Sequence, residues 1–149
     1  MDDIVYISDV SHIPDSAWSL LESPSSAGGE KPRYPVLVLD CLQLRPHTSH
    51  FGLEQSVEAA RRLGAHRTFL VGFGHEVAHD EYGTILRAVQ NPCGVRKVLE
   101  LEGLSKVERR GIETIPHGKS VWMRAAFDGL RLDIKTDGEV VIHDEEYRE

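Results

Sequence analysis

The sequence predicts a layered α/β domain, and three observations carry that prediction. Two nearly continuous apolar runs, Pro35–Asp40 and Thr68–Phe73, read as strands buried on both faces, as in a helix-covered parallel sheet. Each is followed by a polar loop and then by apolar residues at helical spacing, the alternation that builds βαβ units. Finally, 149 residues with 40% apolar composition suit one domain with a core of its own.

Taken in order, Ile4–Ile7 is a short β-branched and aromatic strand ending at Ser8-Asp9. A strand so close to Met1 reads either as an ordinary first strand or as an internal one whose upstream neighbours are absent. Pro14–Leu21 is a short helix with Pro in its first turn and with Trp18 and Leu21 on one face. Residues 24–34, rich in Ser, Gly and Pro, are expected to form a flexible loop. After the Pro35–Asp40 strand and the polar loop Arg45–Phe51, Leu53, Val57, Ala60 and Leu63 mark a helix that Gly64 closes. The Thr68–Phe73 strand leads through Gly74–His79 into a helix from about Asp80 to Val89, which Asn91-Pro92-Cys93-Gly94 interrupts. Val95–Arg110 reads as one charged amphipathic helix with a solvated face. Strand-like alternation returns over Trp122–Ile134 and Glu139–His143, and Asp137-Gly138 predicts a hairpin between them. There is no internal repeat.

Composition excludes several classes. Seventeen basic against 24 acidic residues give a net charge of −7, which disfavours a phosphate-backbone binder and leaves no clear nucleic-acid surface. No apolar run approaches the roughly 18 residues of a membrane span, and no leader is expected. Two cysteines, Cys41 and Cys93, make no disulfide framework, so a reduced cytoplasmic or nuclear setting is expected, with both thiols in packing or surface roles. No Gly-x-Ser-x-Gly elbow, dinucleotide fingerprint or P-loop occurs.

The chemistry-bearing residues fall just past predicted strand ends: Asp9; Asp40 with His47 and His50; and His75 with His79. In α/β folds those ends gather sites, because converging loops are held there by rigid strands. Carboxylates and imidazoles together are a ligand set for zinc, manganese or iron and an acid–base set for hydrolysis. Each residue also has a plain structural reading: Asp9 as a turn cap, His50 as a solvated loop residue, His75 and His79 as helix-start histidines.

The ordered series Tyr6-Ile7-Ser8-Asp9, Leu37-Val38-Leu39-Asp40-Cys41-Leu42, Arg45-Pro46-His47-Thr48-Ser49-His50-Phe51, Leu70-Val71-Gly72-Phe73-Gly74-His75 and Ala126–Leu132 resembles the C-terminal half of the metallo-β-lactamase-fold hydrolases, PhnP-like phosphodiesterase branch. The resemblance covers most of residues 1–149, excepting the loop and a variable insert over 92–119. It implies the second half of an αβ/βα sandwich, one mixed sheet flanked by helices, as a single partial domain. It further implies a metal-dependent phosphodiester hydrolase, with Asp9 bridging two divalent metals (zinc or manganese) and His75 as a further ligand. His50 would assist proton transfer at the substrate phosphate. Asp40, His47 and His79 would orient the site. The partner would be a small phosphodiester, with a second copy of the chain as a further candidate.

The sequence departs from that pattern twice. Gly72 stands where the family's late metal histidine would be, and the upstream His-x-His-x-Asp-His run does not occur in these 149 residues. The expectation is therefore a chain that begins too late and is inactive alone. The alternative is a non-catalytic α/β protein that binds a partner through an uncovered apolar sheet face.

Overall fold

Four strands, β1 (Val5–Ile7), β2 (Val36–Asp40), β3 (Arg67–Val71) and β4 (Met123–Ala125), lie side by side in sequence order, every neighbouring pair parallel. The computed structural model describes residues 4–23, 34–91 and 94–143. Parallel neighbours need crossovers, and helices supply them: α1 (Asp15–Leu21), α2 (Leu53–Leu63), then α3 (His79–Gln90), α4 (Val95–Leu99) and α5 (Lys106–Thr114). A hairpin of β5 (Arg131–Ile134) and β6 (Val140–His143) follows, turning at Gly138 with φ 81°. The α/β layering is as the sequence predicts. The antiparallel component, however, forms this separate hairpin and does not join the main sheet, which is parallel throughout.

Sequential strand order has a geometric consequence. Crossovers of the usual right hand, repeated in one direction, deliver every helix to the same face of the sheet. The core agrees. Val5, Leu37 and Met123 stand in one cross-strand row, Leu39, Leu70 and Ala125 in the next, and both rows share a single apolar cluster with Trp18, Val57, Ile85, Val98 and Ile112 from the five helices. The alternate row, Tyr6, Val38, Phe69 and Arg124, points the other way. There Phe69 is buried against the edge of Trp122 at 5.3 Å, with the Arg67 guanidinium 5.0 Å over the same indole, while Tyr6 remains 67% exposed.

Three local features differ from the sequence reading. The strand β3 ends at Val71, two residues early, because Gly72 (φ 82°) turns the chain out of the ladder. The single helix expected over Val95–Arg110 is two, broken where Gly103 takes φ 85°. Ser105 then starts α5 with a reciprocal cap: Glu108 N donates to Ser105 Oγ at 3.0 Å and Ser105 N to Glu108 Oε2 at 2.7 Å. Nor is this stretch only a solvated face, since Val98 and Ile112 enter the core. Gly111 lets α5 approach α3 so closely that a Cβ there would lie 2.9 Å from Ile85 Cγ1. The expected loop over 24–34, Tyr34 apart, and the Pro92-Cys93 break lie outside the described residues. No helix among the described residues is long and apolar enough to cross a membrane.

If α5 belongs to the core, Ile112→Ala, which empties a fully buried site, should cost about 2–4 kcal/mol in urea unfolding. A loss under about 1 kcal/mol would show α5 to be loosely attached.

Candidate active site at the strand ends

In a parallel sheet all C-terminal strand ends share one edge, and the residues singled out by sequence come to it together. Asp9 lies two residues past β1, Asp40 closes β2, and Gly72–His75 follow β3. Asp40 is the organising residue. Only 1% exposed, it accepts three hydrogen bonds at Oδ2: from Val10 N at 3.3 Å, His50 Nδ1 at 3.0 Å and Phe51 N at 3.2 Å. Its carbonyl accepts from the buried hydroxyl of Ser56 at 2.7 Å, which fastens α2 to the same point. Asp40 Oδ1 is buried without a partner among the described residues.

His50 is held by its Nδ1, so the proton there faces Asp40 and Nε2 is the free ring nitrogen. Its side chain is 23% exposed. The loop that carries it is closed at its base, where Leu53 N donates to Gln43 O and Leu42 N to Phe51 O, both at 3.0 Å. Gly52 permits that closure, since a Cβ would stand 2.5 Å from the carbonyl of Arg45. Within the loop, His47 Nδ1 lies 3.3 Å from Ser49 N, which donates to it, and its ring is 5.7 Å from that of His50. Asp40 and His50 are thus directly paired.

Beside Asp40 sits Gly72. A Cβ built there would be 2.8 Å from Asp40 Oδ1, and its φ of 82° lies in the left-handed region. Absence of a side chain at 72 therefore leaves the space beside the buried Oδ1, unpartnered among the described residues, free of a Cβ. Asp9 is the only non-glycine among the described residues with positive φ, at 54°, and its Oδ2 accepts from Ser8 Oγ at 2.9 Å. His75 is exposed and has no hydrogen bond or ion pair among the described residues. His79 is engaged past β4, its Nε2 3.2 Å from the Ala126 carbonyl and its ring edge-on to Phe127.

The divalent pair implied by the resemblance can be tested against these donors. A two-metal centre needs several convergent carboxylates and imidazoles. Among the described residues no three His, Cys, Asp or Glu side chains converge as a metal would require. Asp40 has one oxygen saturated by donors and the other walled by the Gly72 backbone. These residues do not fit a two-metal site.

Cys41, next to Asp40, is fully buried, and burial above all pushes its thiol up to about 12, with the Asp40 charge adding to the rise and Ser56 opposing it. That is a packing residue, as the sequence suggests; Cys93 lies outside the described residues. Sequence reasoning passed over Ser56 and the two backbone donors. Ser56 did leave a trace, as the one polar side chain on the apolar stripe of Leu53, Val57 and Ala60.

No family model matches the chain, and no curated protein does. A crystal structure described as a new diphosphatase from the PhnP family is similar to part of it: 30% identity over 61% of this chain, with a TM-score of 0.44. The match takes in 30% of the length of that other chain.

Two measurements check the site. Gly72→Ala combines a left-handed φ with contact on Asp40 Oδ1 and should cost about 2 kcal/mol or more, against about 1 kcal/mol for Gly64→Ala, where φ is 71° but the space is open. Equal losses in urea unfolding would refute the contact. Alkylation by iodoacetamide at pH 9, where about one Cys41 in a thousand is thiolate, should leave the Cys41 peptide unmodified until urea is added; prompt labelling would refute its burial.

Proposed function

We propose that this edge is the proton-transfer part of a phosphodiester hydrolase site, with His50 as the acid–base group and Asp40 as its positioning residue. The observation that carries the reading is the Asp40–His50 hydrogen bond, a buried carboxylate on Nδ1 of a partly exposed imidazole. That arrangement fixes tautomer and ring direction, and it stabilises the imidazolium formed when Nε2 takes a proton. At a phosphodiester, Nε2 would remove a proton from the attacking water or deliver one to the leaving oxygen. The quoted resemblance supports phosphodiester chemistry. It assigns Asp9 and His75 to metal binding, but a zinc or manganese centre would need donors beyond those described. Turnover by this chain alone is accordingly expected near background. The low cysteine content supports a reduced cytoplasmic or nuclear setting.

A second reading, a scaffold that binds a protein partner, draws on the helix-free row, where Ile4 and Tyr6 are 55% and 67% exposed.

Titrating the 15N-labelled chain with bis(4-nitrophenyl) phosphate should shift the His50 Nε2 signal saturably, and Asp40→Asn should weaken that response roughly tenfold as the tautomer is lost. Any turnover above background should be lost in His50→Ala. A His50 ring untouched by the diester would overturn the hydrolase reading and favour the second.

A further inference from the structure

Among the described residues four large apolar side chains stand exposed, Ile4, Tyr6, Leu20 and Leu101, and the first three gather at one place. That place is the β1 edge of the sheet. There β1 pairs only with β2, so its outer side has no backbone partner among the described residues. Beside it runs a groove of about 380 Å³, lined by Val5 and Ile7 from β1, Ala17 and Leu20 from α1, and Ile13 from the segment joining them. No carboxylate, lysine or arginine lines it.

Two features narrow what covers this edge. The exposed apolar groups belong to both layers: Ile4 and Tyr6 lie on the helix-free row of the sheet, whereas Leu20, 77% exposed, projects from the helix layer. An added strand alone would reach the first pair and leave Leu20 in water. A matching occupant carries a strand with a helix beside it, which is what the β1–α1 unit of another copy presents. Charge agrees. The chain carries −7, so two copies repel in general, and a groove free of carboxylates is where they approach with least repulsion. The patch also holds projecting side chains and a hollow together, the self-complementarity that a two-fold interface requires.

We propose that β1 and α1 form an interface with a second copy of this chain, the two β1 strands running antiparallel so that two four-stranded sheets join into one. With the two-fold axis through the sheet at Val5, Ile4 of each copy stands opposite Tyr6 of the other, an aliphatic–aromatic cross-strand pair made twice. Both helix layers then lie on one side, α1 meets α1, and Leu20 of each copy enters the seam. This partner rests on the protein-binding reading above and not on His50, since antiparallel β1 strands place the two strand-end sites at opposite edges of the joined sheet.

Sedimentation equilibrium of the full chain, from low micromolar to submillimolar concentration, should give a mass rising to twice that of the chain. Leu20→Lys and Tyr6→Lys should each weaken self-association at least about tenfold, because each sets two charges in the seam. Leu101→Lys, at the exposed apolar residue elsewhere, should leave it unchanged. All three side chains are exposed in the single copy, so the variants keep the fold, which circular dichroism checks. In a Cys93→Ser background, Ile4→Cys chains should join Tyr6→Cys chains under oxidised glutathione far faster than either joins itself; equal rates would overturn the two-fold at Val5. A chain that stays monomeric, or a dimer that Leu20→Lys and Tyr6→Lys do not weaken, would overturn the second copy. For a monomer, the dye anilinonaphthalene sulfonate separates this failure from that of the protein-binding reading. Dye binding lost in Leu20→Lys would leave the groove to a different protein, and binding unaffected by it would remove that reading as well.

Discussion

The strand-end architecture depends on how one buried carboxylate is satisfied. Taking Asp40 out of water costs several kcal/mol unless donors replace the solvent. The three donors that meet Oδ2 come from different segments: Val10 from the loop after β1, His50 and Phe51 from the loop after β2. Satisfying the carboxylate therefore fixes both loops against the end of β2, and Ser56 binds the first turn of α2 to the same residue. Position and chemistry have a common cause here. The interaction that holds the loops in place also holds the imidazole by its Nδ1.

Why such a residue can exist at this point follows from the topology. A parallel sheet with its helices on one side draws all its crossovers back from the C-terminal edge, so polar loops collect there while the strand interiors stay apolar. Asp40 stands at the junction, with Leu37 and Leu39 behind it in the core and the His50 loop ahead. Its two oxygens have unequal surroundings because the neighbouring strand ends differently. The strand β3 leaves the ladder at a glycine, and that glycine's bare backbone faces Oδ1.

Much of this was legible in the sequence, because it depends on short-range pattern. The runs Pro35–Asp40 and Thr68–Phe73, the stripe ending at Gly64 and the Asp137-Gly138 hairpin each encode their element locally, and each appears within a residue or two of where the pattern puts it. The grouping of Asp9, Asp40, His50 and His75 at strand ends was legible for the same reason. What was not legible depends on tertiary contact. Gly103 divides a charged stretch that reads equally well as one helix, and only the core shows that Ile112 faces inward. The early end of β3 depends on room beside Asp40, thirty-two residues earlier in the chain.

The relation between Gly72 and Asp40 bears on what this edge can do. Were Gly72 simply a ligand histidine lost, the backbone around it should suit a side chain, and returning one would restore a donor. Instead φ is 82° and the Cβ position already falls within 2.8 Å of a carboxylate oxygen. A histidine at 72 would have to change the backbone before its ring could reach anything, and that change would press on the residue that positions His50. The strand end is therefore organised around the absence of the side chain. What that end holds is an imidazole positioned by a buried carboxylate. Proton transfer is compatible with that arrangement; metal ligation at position 72 is not.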